Sequence, residues 1–564
     1  MNKNWNVVPL LCFALIGCTV SRAETPGSDS STSGAPVSAG ANSTATTDDL
    51  NQLRERIAKQ EEEIKRLQES VAEQRVLLDK ALQNSPATQN GGTATAISSA
   101  APVQLIPAVE ITHPRGMVLQ HPETKPGSPL AISIGNTTFA PLGFVDATFF
   151  GRSSNVGSGI GTNFGGIPYN TSATNHISEA NFSTQNSRIG FRVDSNFMDA
   201  NILGYFEADF LGNQPTNVFV TSNSDTFRMR NVFVDVQKNG FELLGGQDWS
   251  LATPNRKGLS PLPSDIFYTQ NMDTNYQVGL VWSRQSQFRF IAHPSDNFAL
   301  GVSLENPQQY IGGSGGLNGA AVTLPAAAGL SALSGTQINN GGTSYSAANL
   351  HPDIIVKAAY DGHVSDEQIL HVEAAGIFRS FKDAFPFGTP TMGYHTSTAT
   401  AASGELNANL GLTKNFRLIA NTFFGSGNGR YVFGLAPDFI LRADGTISPI
   451  HTYSTVDGFE MNLVKNTLLY AYYGGVYVDR NIAVDTTGKY IGYGFTGSSN
   501  SNNRTIQEGT LGVVQTFWKN PNYGALSLIT QYSYLTRNPW FLATGAPKET
   551  HTNMYWVDLR YTLP

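Results

Sequence analysis

The chain is poor in charged residues, cysteines and long apolar runs. Charged residues make up 14% of its 564 residues, well below the quarter that is usual in soluble proteins. Its only cysteines are Cys12 and Cys18, which excludes a disulfide scaffold or a Cys-ligated metal site in the rest of the chain. No run of about 20 apolar residues follows the N-terminal segment, so no membrane-spanning helix is predicted.

Signals for catalysis, cofactors and nucleic acid are also missing. The ten histidines show no metal-ligand spacing, so neither a metal site nor a cofactor is predicted. One close grouping of His, Ser and Asp spans only the turn 293–297, and residues so close in sequence cannot converge as a catalytic triad. We therefore assign no catalytic residue. The formal net charge of −7 argues against a nucleic-acid partner.

The sequence is rich instead in glycine and aromatic residues, arranged in alternating segments. It contains 56 Gly, 21 Tyr and 32 Phe. In the last segment, Tyr555, Val557 and Leu559 alternate with Asp558 and Arg560, which is typical of a strand with one apolar and one polar face. Low charge, many such segments and no spanning helix favour a transmembrane β-barrel. Composition alone leaves a secreted all-β protein open.

Alternation from residue 137 onward predicts sixteen antiparallel strands. One segment, 276–293, could be divided into two strands, which would make seventeen. The sixteen-strand interpretation is preferred because long and short connections then alternate throughout, as in outer-membrane barrels. The predicted strands are 143–151, 187–195, 201–211, 226–236, 240–249, 280–292, 298–305, 353–360, 368–380, 404–413, 416–425, 457–464, 467–479, 504–517, 525–537 and 553–563.

The N-terminal part has a different organisation. Lys3, an apolar run and "SRA" at 21–23 predict a signal peptide over 1–23. "LIGC" at 15–18 leaves lipidation of Cys18 open as an alternative to cleavage after Ala23. Flexible linkers are predicted at 24–47 and 84–135, and the barrel over 136–564.

A heptad pattern between the linkers predicts an α-helical coiled coil over 48–83. Such a charged helix gains little stability without a partner helix. Two glutamines in the seam do not distinguish a dimer from a trimer. The seam residues are Leu50, Ile57, Ile64, Val71 and Leu78, with Leu53, Gln60, Leu67, Gln74 and Ala81.

The polar faces of the predicted strands carry the candidate pore-lining residues. Charge on a lipid-facing position costs a few kcal/mol near the membrane centre, so these faces should point inward. A bulge or a rim position is expected near Arg228 and Arg230, which share their parity with Val232 and Val234. Pairing across the lumen is the alternative for each residue, but a group of arginines favours anions. The candidates are Arg188, Arg192, Arg228, Arg230, Arg289, Lys357, Arg379 and Arg417, with the acids Asp194, Glu207, Asp209 and Glu373.

A long Pro-rich loop, 251–275, follows the fifth predicted strand. Porins commonly fold a loop at this position into the barrel. We therefore expect Arg256, Lys257 and Asp265 to form a constriction. An outward external loop is the alternative.

Four short motifs resemble the DcaP-like porin family: "GGQDWS" (245–250), "RQSQFRF" (284–290), "LENP" (304–307) and "GNGRY" (427–431). The resemblance runs from the heptads to the last strand. It implies a periplasmic coiled coil, a trimeric sixteen-stranded outer-membrane barrel and diffusion of small anions, dicarboxylates among them. It assigns Arg228, Arg230, Arg289 and Arg430 to the channel. The long Gly/Ala-rich segments 306–352 and 381–399 depart from the family pattern.

Together these observations predict a passive, anion-favouring porin in the outer membrane of a Gram-negative-type bacterium. The expected partners are outer-membrane lipid, two further copies of the chain and the barrel-assembly machinery, with peptidoglycan as a partner of the coiled coil. The alternative is a structural barrel that tethers the envelope with little transport. A hydrolase in the same membrane is a remote alternative.

Overall fold

The computed structural model describes Lys65 and residues 128–213, 223–266, 269–312, 322–326, 337–339, 348–365, 368–386 and 393–564. The predicted signal peptide 1–23 and linker 24–47 lie outside the described residues. So does the predicted coiled coil 48–83, except for Lys65, which is helical and exposed. No helix in the described part of the chain is long and apolar enough to cross a membrane.

Sixteen strands form the wall of a closed antiparallel barrel. We number them β1 to β16 in chain order, and β2 consists of two segments because residues 184–187 interrupt it. The strands are β1 Thr137–Arg152, β2 Glu179–Ser183 and Arg188–Phe197, β3 Ala200–Asp209, β4 Arg228–Lys238, β5 Phe241–Trp249, β6 Arg284–Ser295, β7 Phe298–Glu305, β8 Asp353–Ser365, β9 Gln368–Pro386, β10 Tyr394–Thr413, β11 Phe416–Ser426, β12 His451–Val464, β13 Thr467–Val478, β14 Asn503–Asn520, β15 Gly524–Pro539 and β16 Thr550–Thr562.

Each strand pairs with the next along the chain, and β16 pairs with β1. In that closing pair Phe144 lies opposite Thr562 and Arg152 opposite Met554. The predicted sixteen-stranded barrel is therefore confirmed. Closure leaves no unpaired strand edge in the wall, which is what a barrel in lipid requires.

The two faces of the wall differ in chemistry. Inward side chains such as Glu207, Arg289 and Glu460 are buried, whereas Val302 and Leu559 on the outer face are exposed. Outward aromatic residues form a belt near each end of the wall. Phe197, Phe241, Phe517 and Tyr523 lie near the short turns, and Phe182, Phe227, Phe424 and Tyr453 near the long loops. An apolar band between two aromatic belts is typical of membrane barrels.

A bulge reverses the alternation in β4, as the sequence predicts. Glu207 of β3 pairs with Asn231, and the next residue, Ala208, pairs with Met229, so Arg230 is the extra residue. The bulge allows both Arg230 and Asn231 to be buried, while Val232 and Val234 face outward. The expected irregularity is confirmed.

The sixth strand begins later than predicted. The sequence predicts strand from residue 280, but β6 starts at Arg284. The preceding residues Val278, Leu280 and Val281 are fully buried and belong to the loop inside the barrel. The sequence of these residues predicts a strand because periodicity alone does not distinguish a buried apolar loop segment from a buried strand.

Residues at the N-terminal end of the barrel complete the closing seam. A short strand, Ile132–Ile134, pairs with the start of β1, Ile134 lying opposite Thr137. The Ser128 hydroxyl donates to the Pro564 carbonyl oxygen at 2.9 Å. This segment therefore continues the wall beside β1 beyond the end of β16.

Candidate functional site

The described residues of the loop between β5 and β6, 250–266 and 269–283, lie inside the barrel; we call them the inward loop. Leu251, Ala252, Val278 and Val281 of this loop are at most 2% exposed. Its polar groups bond to inward-facing side chains of β8, β9, β12, β13, β14 and β15. A loop that reaches strands so far apart around the wall must cross the lumen.

One anchor of the inward loop is a buried charge cluster on β8 and β9. Lys357 Nζ lies 2.9 Å from Glu373 Oε2 and donates to the Thr253 carbonyl oxygen at 2.9 Å. The Asn255 backbone N–H also donates to Glu373, at 3.1 Å. His371 bridges the Glu373 and Asp361 carboxylates, with N–O distances of 3.2 and 2.9 Å. The cluster holds the first part of the loop against the wall.

A second anchor joins the loop to β11, β12 and β13. Arg256 of the loop and Arg417 of β11 both pair with Glu460 of β12. The Tyr472 hydroxyl donates to Glu460 Oε1 at 2.8 Å and accepts from the Gln270 backbone N–H at 3.0 Å. Because ion pairs shielded from water need such additional bonds, this network fixes the loop in one position.

The C-terminal part of the inward loop is held by hydrogen bonds that involve neutral and acidic side chains. The backbone N–H groups of Met272 and Val278 donate to Gln531 and Glu508 of the wall, at 2.7 and 3.0 Å. Asp273 accepts from the Thr162 backbone N–H at 3.1 Å. Burial raises the pKa of Asp273, and Arg152 and these hydrogen bonds oppose that effect.

Beside the inward loop lies a cavity of about 440 Å³. Four arginines and several aromatic and amide side chains line it, and among the described residues its lining contains no Asp or Glu. The lining residues are Arg228, Arg230, Thr274, Asn275, Tyr276, Trp282, Ser283, Arg284, Gln308, Gln309, Tyr310, Asn339, Arg430, Phe433 and Gly434.

Two of these arginines are paired with carboxylates just behind the lining. Arg228 Nη2 lies 2.7 Å from Asp209 Oδ2. Arg230 lies 2.6 Å from both Asp209 and Glu207 and donates to the Tyr276 hydroxyl at 3.0 Å. The bulge in β4 brings both arginines to the same face.

The guanidinium groups of the other two arginines contact no carboxylate of the described residues, although the Arg430 backbone N–H donates to Asp438 at 3.0 Å. The Arg430 side chain donates to Gln285 Oε1 at 2.6 Å and to the Gln308 carbonyl oxygen at 3.1 Å. Arg284 packs over the Trp249 ring at 5.1 Å, and its Nη1 has no hydrogen-bond partner among the described residues. The cavity therefore carries more positive than negative charge.

The ionisation of Tyr276 reports on this charge. Burial disfavours its phenolate, but the guanidinium groups of Arg230, Arg188 and Arg284 outweigh burial and hold the pKa of Tyr276 below its usual value. Nearby positive charges favour the anionic form of a buried group, and so does the hydrogen bond that Arg230 donates to the Tyr276 hydroxyl. The cavity wall is thus suited to a negatively charged group.

Most of the predicted basic residues are paired and do not line the cavity. Their partners are inward acids or loop carbonyl groups, so pairing, the alternative for each single residue, is widespread. Arg188 pairs with Glu207, Arg192 with Asp194, Arg289 with Asp248, Lys357 with Glu373, Arg379 with Asp353 and Asp438, and Arg417 with Glu460.

The three constriction candidates do not form one group of side chains at the cavity. Arg256 points to the wall and pairs with Glu460, whereas Lys257 is exposed. Asp265 ends a short 3-10 turn, Pro263–Asp265, and its backbone carbonyl accepts from the Arg256 N–H. None of the three lines the cavity described above.

Alternation did not identify Arg284, Trp282 or Phe433. Arg284 has the same parity as the outward Phe288 and Phe290, but it is the first residue of β6, where the chain still turns toward the lumen. Trp282 stacks on Phe433 with ring centroids 4.6 Å apart. The sequence signals for this part of the site were the motifs "RQSQFRF", which begins with Arg284, and "GNGRY", which contains Arg430.

Comparison with known proteins supports the fold. No family model and no curated protein sequence matches the chain. Among solved structures, the DcaP outer-membrane channel of Acinetobacter baumannii is 14% identical, with a TM-score of 0.53, covering 76% of this chain and 98% of that chain. The anion-selective porin from Comamonas acidovorans is 14% identical (TM-score 0.41), covering 76% of this chain and 99% of that chain. OmpT of Vibrio cholerae is 12% identical (TM-score 0.40), covering 77% of this chain and 99% of that chain.

The Comamonas acidovorans porin and OmpT both have lower TM-scores to this chain than the DcaP channel has. The DcaP channel matches over nearly its whole length. In fold, the chain therefore resembles the DcaP outer-membrane channel, as its sequence motifs indicate.

Proposed function

We propose that the protein is an outer-membrane porin through which small hydrophilic anions, dicarboxylate-like solutes among them, diffuse passively. The observation that carries the proposal is the cavity beside the inward loop, whose described lining residues include four arginines and no carboxylate. Arg284 and Arg430 are the functional candidates, because their side chains contact no acid of the described residues. Charged groups of one sign in a low-dielectric passage concentrate ions of the opposite sign.

The proposed location follows from the wall and the loops. The apolar band between the two aromatic belts is suited to lipid. Connections at one end are short turns such as 239–240 and 465–466, while those at the other end are long. In outer-membrane barrels the long loops are external, so the predicted coiled coil would extend into the periplasm.

Ion selectivity in a planar bilayer tests the porin proposal. The reversal potential in a KCl gradient should show a preference for chloride in the wild-type protein. Replacing both unpaired arginines, R284Q/R430Q, should lower that preference several-fold because the local positive potential falls. The matched control R442Q/K489Q removes two exposed loop cations and should keep wild-type selectivity.

Two results would overturn this proposal. Absence of conducting steps would exclude a porin, and a cation preference in the wild type would exclude an anion pathway. Liposome swelling with a panel of sugars and dicarboxylates would then identify the solute class: faster swelling with dicarboxylates than with sugars of similar size is expected.

We also propose that three copies assemble through the outer faces of β1, β2 and β16. Phe149 lies 5.0 Å from Phe182 and 6.1 Å from Tyr555, ring centroid to centroid, and Phe182 is 82% exposed. Such an aromatic cluster is suited to a protein interface. Light scattering of the detergent-solubilised protein should give a trimer mass, and Phe182→Ser should shift it toward the monomer.

A structural, envelope-tethering role is a second candidate. The observation that favours it is that the inward loop bonds to strands on several sides of the lumen. Deleting the predicted coiled coil 48–83 separates the roles. Loss of envelope attachment with unchanged conductance would support a tether in addition to a porin, and unchanged attachment and trimer stability would exclude the tether.

A further inference from the structure

Two arginines share one indole ring on the outer surface, at the end of the wall where the long loops begin. Arg480 follows β13 and Arg504 lies at the start of β14. Their Cζ atoms lie 5.4 and 5.9 Å from the ring centroid of Trp540, which follows β15. Both arginines are exposed. We call these three residues the Arg-Trp-Arg cluster.

The indole is fixed in place. Trp540 Nε1 donates to the Val478 carbonyl oxygen at 2.8 Å, and the Tyr477 ring packs edge-on at 6.0 Å. A side chain at Gly494, whose φ is +77°, would come within 2.8 Å of the indole. Since β13 and the loop at Gly494 both contact the ring, the two guanidinium groups lie over a fixed platform.

The cluster has unused hydrogen-bonding capacity. In the described parts of the chain, neither guanidinium forms an ion pair or a side-chain hydrogen bond, and the ring contacts are their polar interactions. The nearby acid, Asp479, accepts a hydrogen bond from the Tyr477 hydroxyl. Two guanidinium groups offer up to ten N–H donors in planar forks, an arrangement that suits phosphate oxygens.

The position of the cluster indicates the source of the phosphate. Tyr477 and Tyr453 beneath it face outward, with ring centroids 6.1 Å apart, and continue the aromatic belt at the long-loop end. Aromatic belts lie at the level of lipid headgroups. A group directly above this belt and on the outer face therefore meets headgroups, whereas solute in the lumen is on the opposite side of the wall.

We propose that the Arg-Trp-Arg cluster binds a phosphate group of a phosphorylated lipid in the outer leaflet. This inference goes beyond solute passage and rests on the proposed membrane location. Each arginine donates to the phosphate oxygens from its outer edge while its plane remains on the indole. Acyl chains of the same lipid would pack along Tyr477 and Tyr453.

The test measures lipid binding and conductance separately. Purified protein in detergent is titrated with diphosphoryl lipid A and with lipid A from which both phosphates have been removed, and bound lipid is counted by native mass spectrometry. The wild type should bind the phosphorylated form at least about tenfold more tightly, as expected for charge-assisted bonds to phosphate. R480Q/R504Q should lose that difference. The control R442Q/K489Q, which removes the same charge from exposed loops, should retain it.

A second variant tests the platform. Trp540→Leu keeps both charges but removes the ring, so it should weaken binding of the phosphorylated lipid. If the arginines attracted the lipid only by nonspecific charge, Trp540→Leu would bind it as tightly as wild type. Equal binding of the two lipids by the wild type, or unchanged binding by R480Q/R504Q, would overturn the inference. All variants should conduct like wild type in a bilayer of phosphate-free lipid, so failure of the lipid test is distinguishable from failure of the porin proposal.

Discussion

Glu460 connects two arginines that come from different parts of the molecule. Its carboxylate lies 3.2 Å from Nη1 of Arg256 in the inward loop and pairs with Arg417 of the wall. The Glu460 side chain is fully buried. Removing its charge takes away the counter-charge that two shielded guanidinium groups share, a change that is usually far more costly than losing the bond itself.

We expect Glu460→Gln to loosen the inward loop. Breaking a buried ion pair from one side costs about 3–5 kcal/mol, so the thermal unfolding temperature should fall and limited proteolysis should cleave the loop faster. Glu549→Gln, a substitution at an exposed position, is the control and should leave both measurements unchanged. If Glu460→Gln matches this control, the loop is held by other contacts.

Arg230 and Arg284 show what residue patterns can predict. The parity conflict around Arg230 is visible in the sequence, because arginines cannot share a lipid-facing row with valines at low cost, and the bulge resolves it. Arg284 also shares its parity with outward residues, Phe288 and Phe290, but its inward position depends on where β6 begins. Pairings such as Arg256 with Glu460 join residues 204 positions apart and require the folded barrel to be known.

At the level of elements, the inward loop passes very close to β13. A Cβ atom at Gly474 would overlap the Val278 carbonyl group. A Cβ atom at Gly279, whose φ is +90°, would overlap backbone atoms of β12 and β13. Glycine is required here because the backbones themselves are in contact. The inward loop can therefore move toward the cavity but not toward β13.

We predict that Gly474→Ala displaces the inward loop toward the cavity. Overpacking of this kind costs about 1–3 kcal/mol, and single-channel conductance should change along with the unfolding temperature. Gly509→Ala in the adjacent strand β14 is the matched control, because its added Cβ would meet nothing within 4 Å. Wild-type conductance in Gly474→Ala would show that the loop does not limit ion flow.

The whole wall could be predicted because two simple patterns repeat along it. Apolar and polar residues alternate with period two, and long and short connections alternate, so strand number and the inward face follow from the sequence. The contents of the lumen could not be predicted in the same way. Buried loop residues such as Val278 and Leu280 lack periodicity of their own, and their neighbours on β13 and β14 are distant in sequence.

At the scale of the molecule, we predict that anion preference decreases with salt. The Debye length is about 10 Å at 0.1 M and about 3 Å at 1 M ionic strength, so arginine charges act over the cavity only in dilute salt. The chloride-to-potassium permeability ratio should fall between these concentrations, and more steeply in wild type than in R284Q/R430Q. An equal ratio at both concentrations would mean that lumen charge does not set selectivity.

The seam between β1 and β16 also bears on the order in which contacts of the barrel form and open. All other neighbouring strands of the wall are consecutive in the chain, but Ser128 and Pro564, which meet at the seam, are 436 positions apart. Contacts between such distant residues carry the largest loop-closure entropy and form slowly. The seam is therefore expected to be the last contact to form during assembly and the first to open, and amide hydrogen exchange should be faster there than at the hairpins.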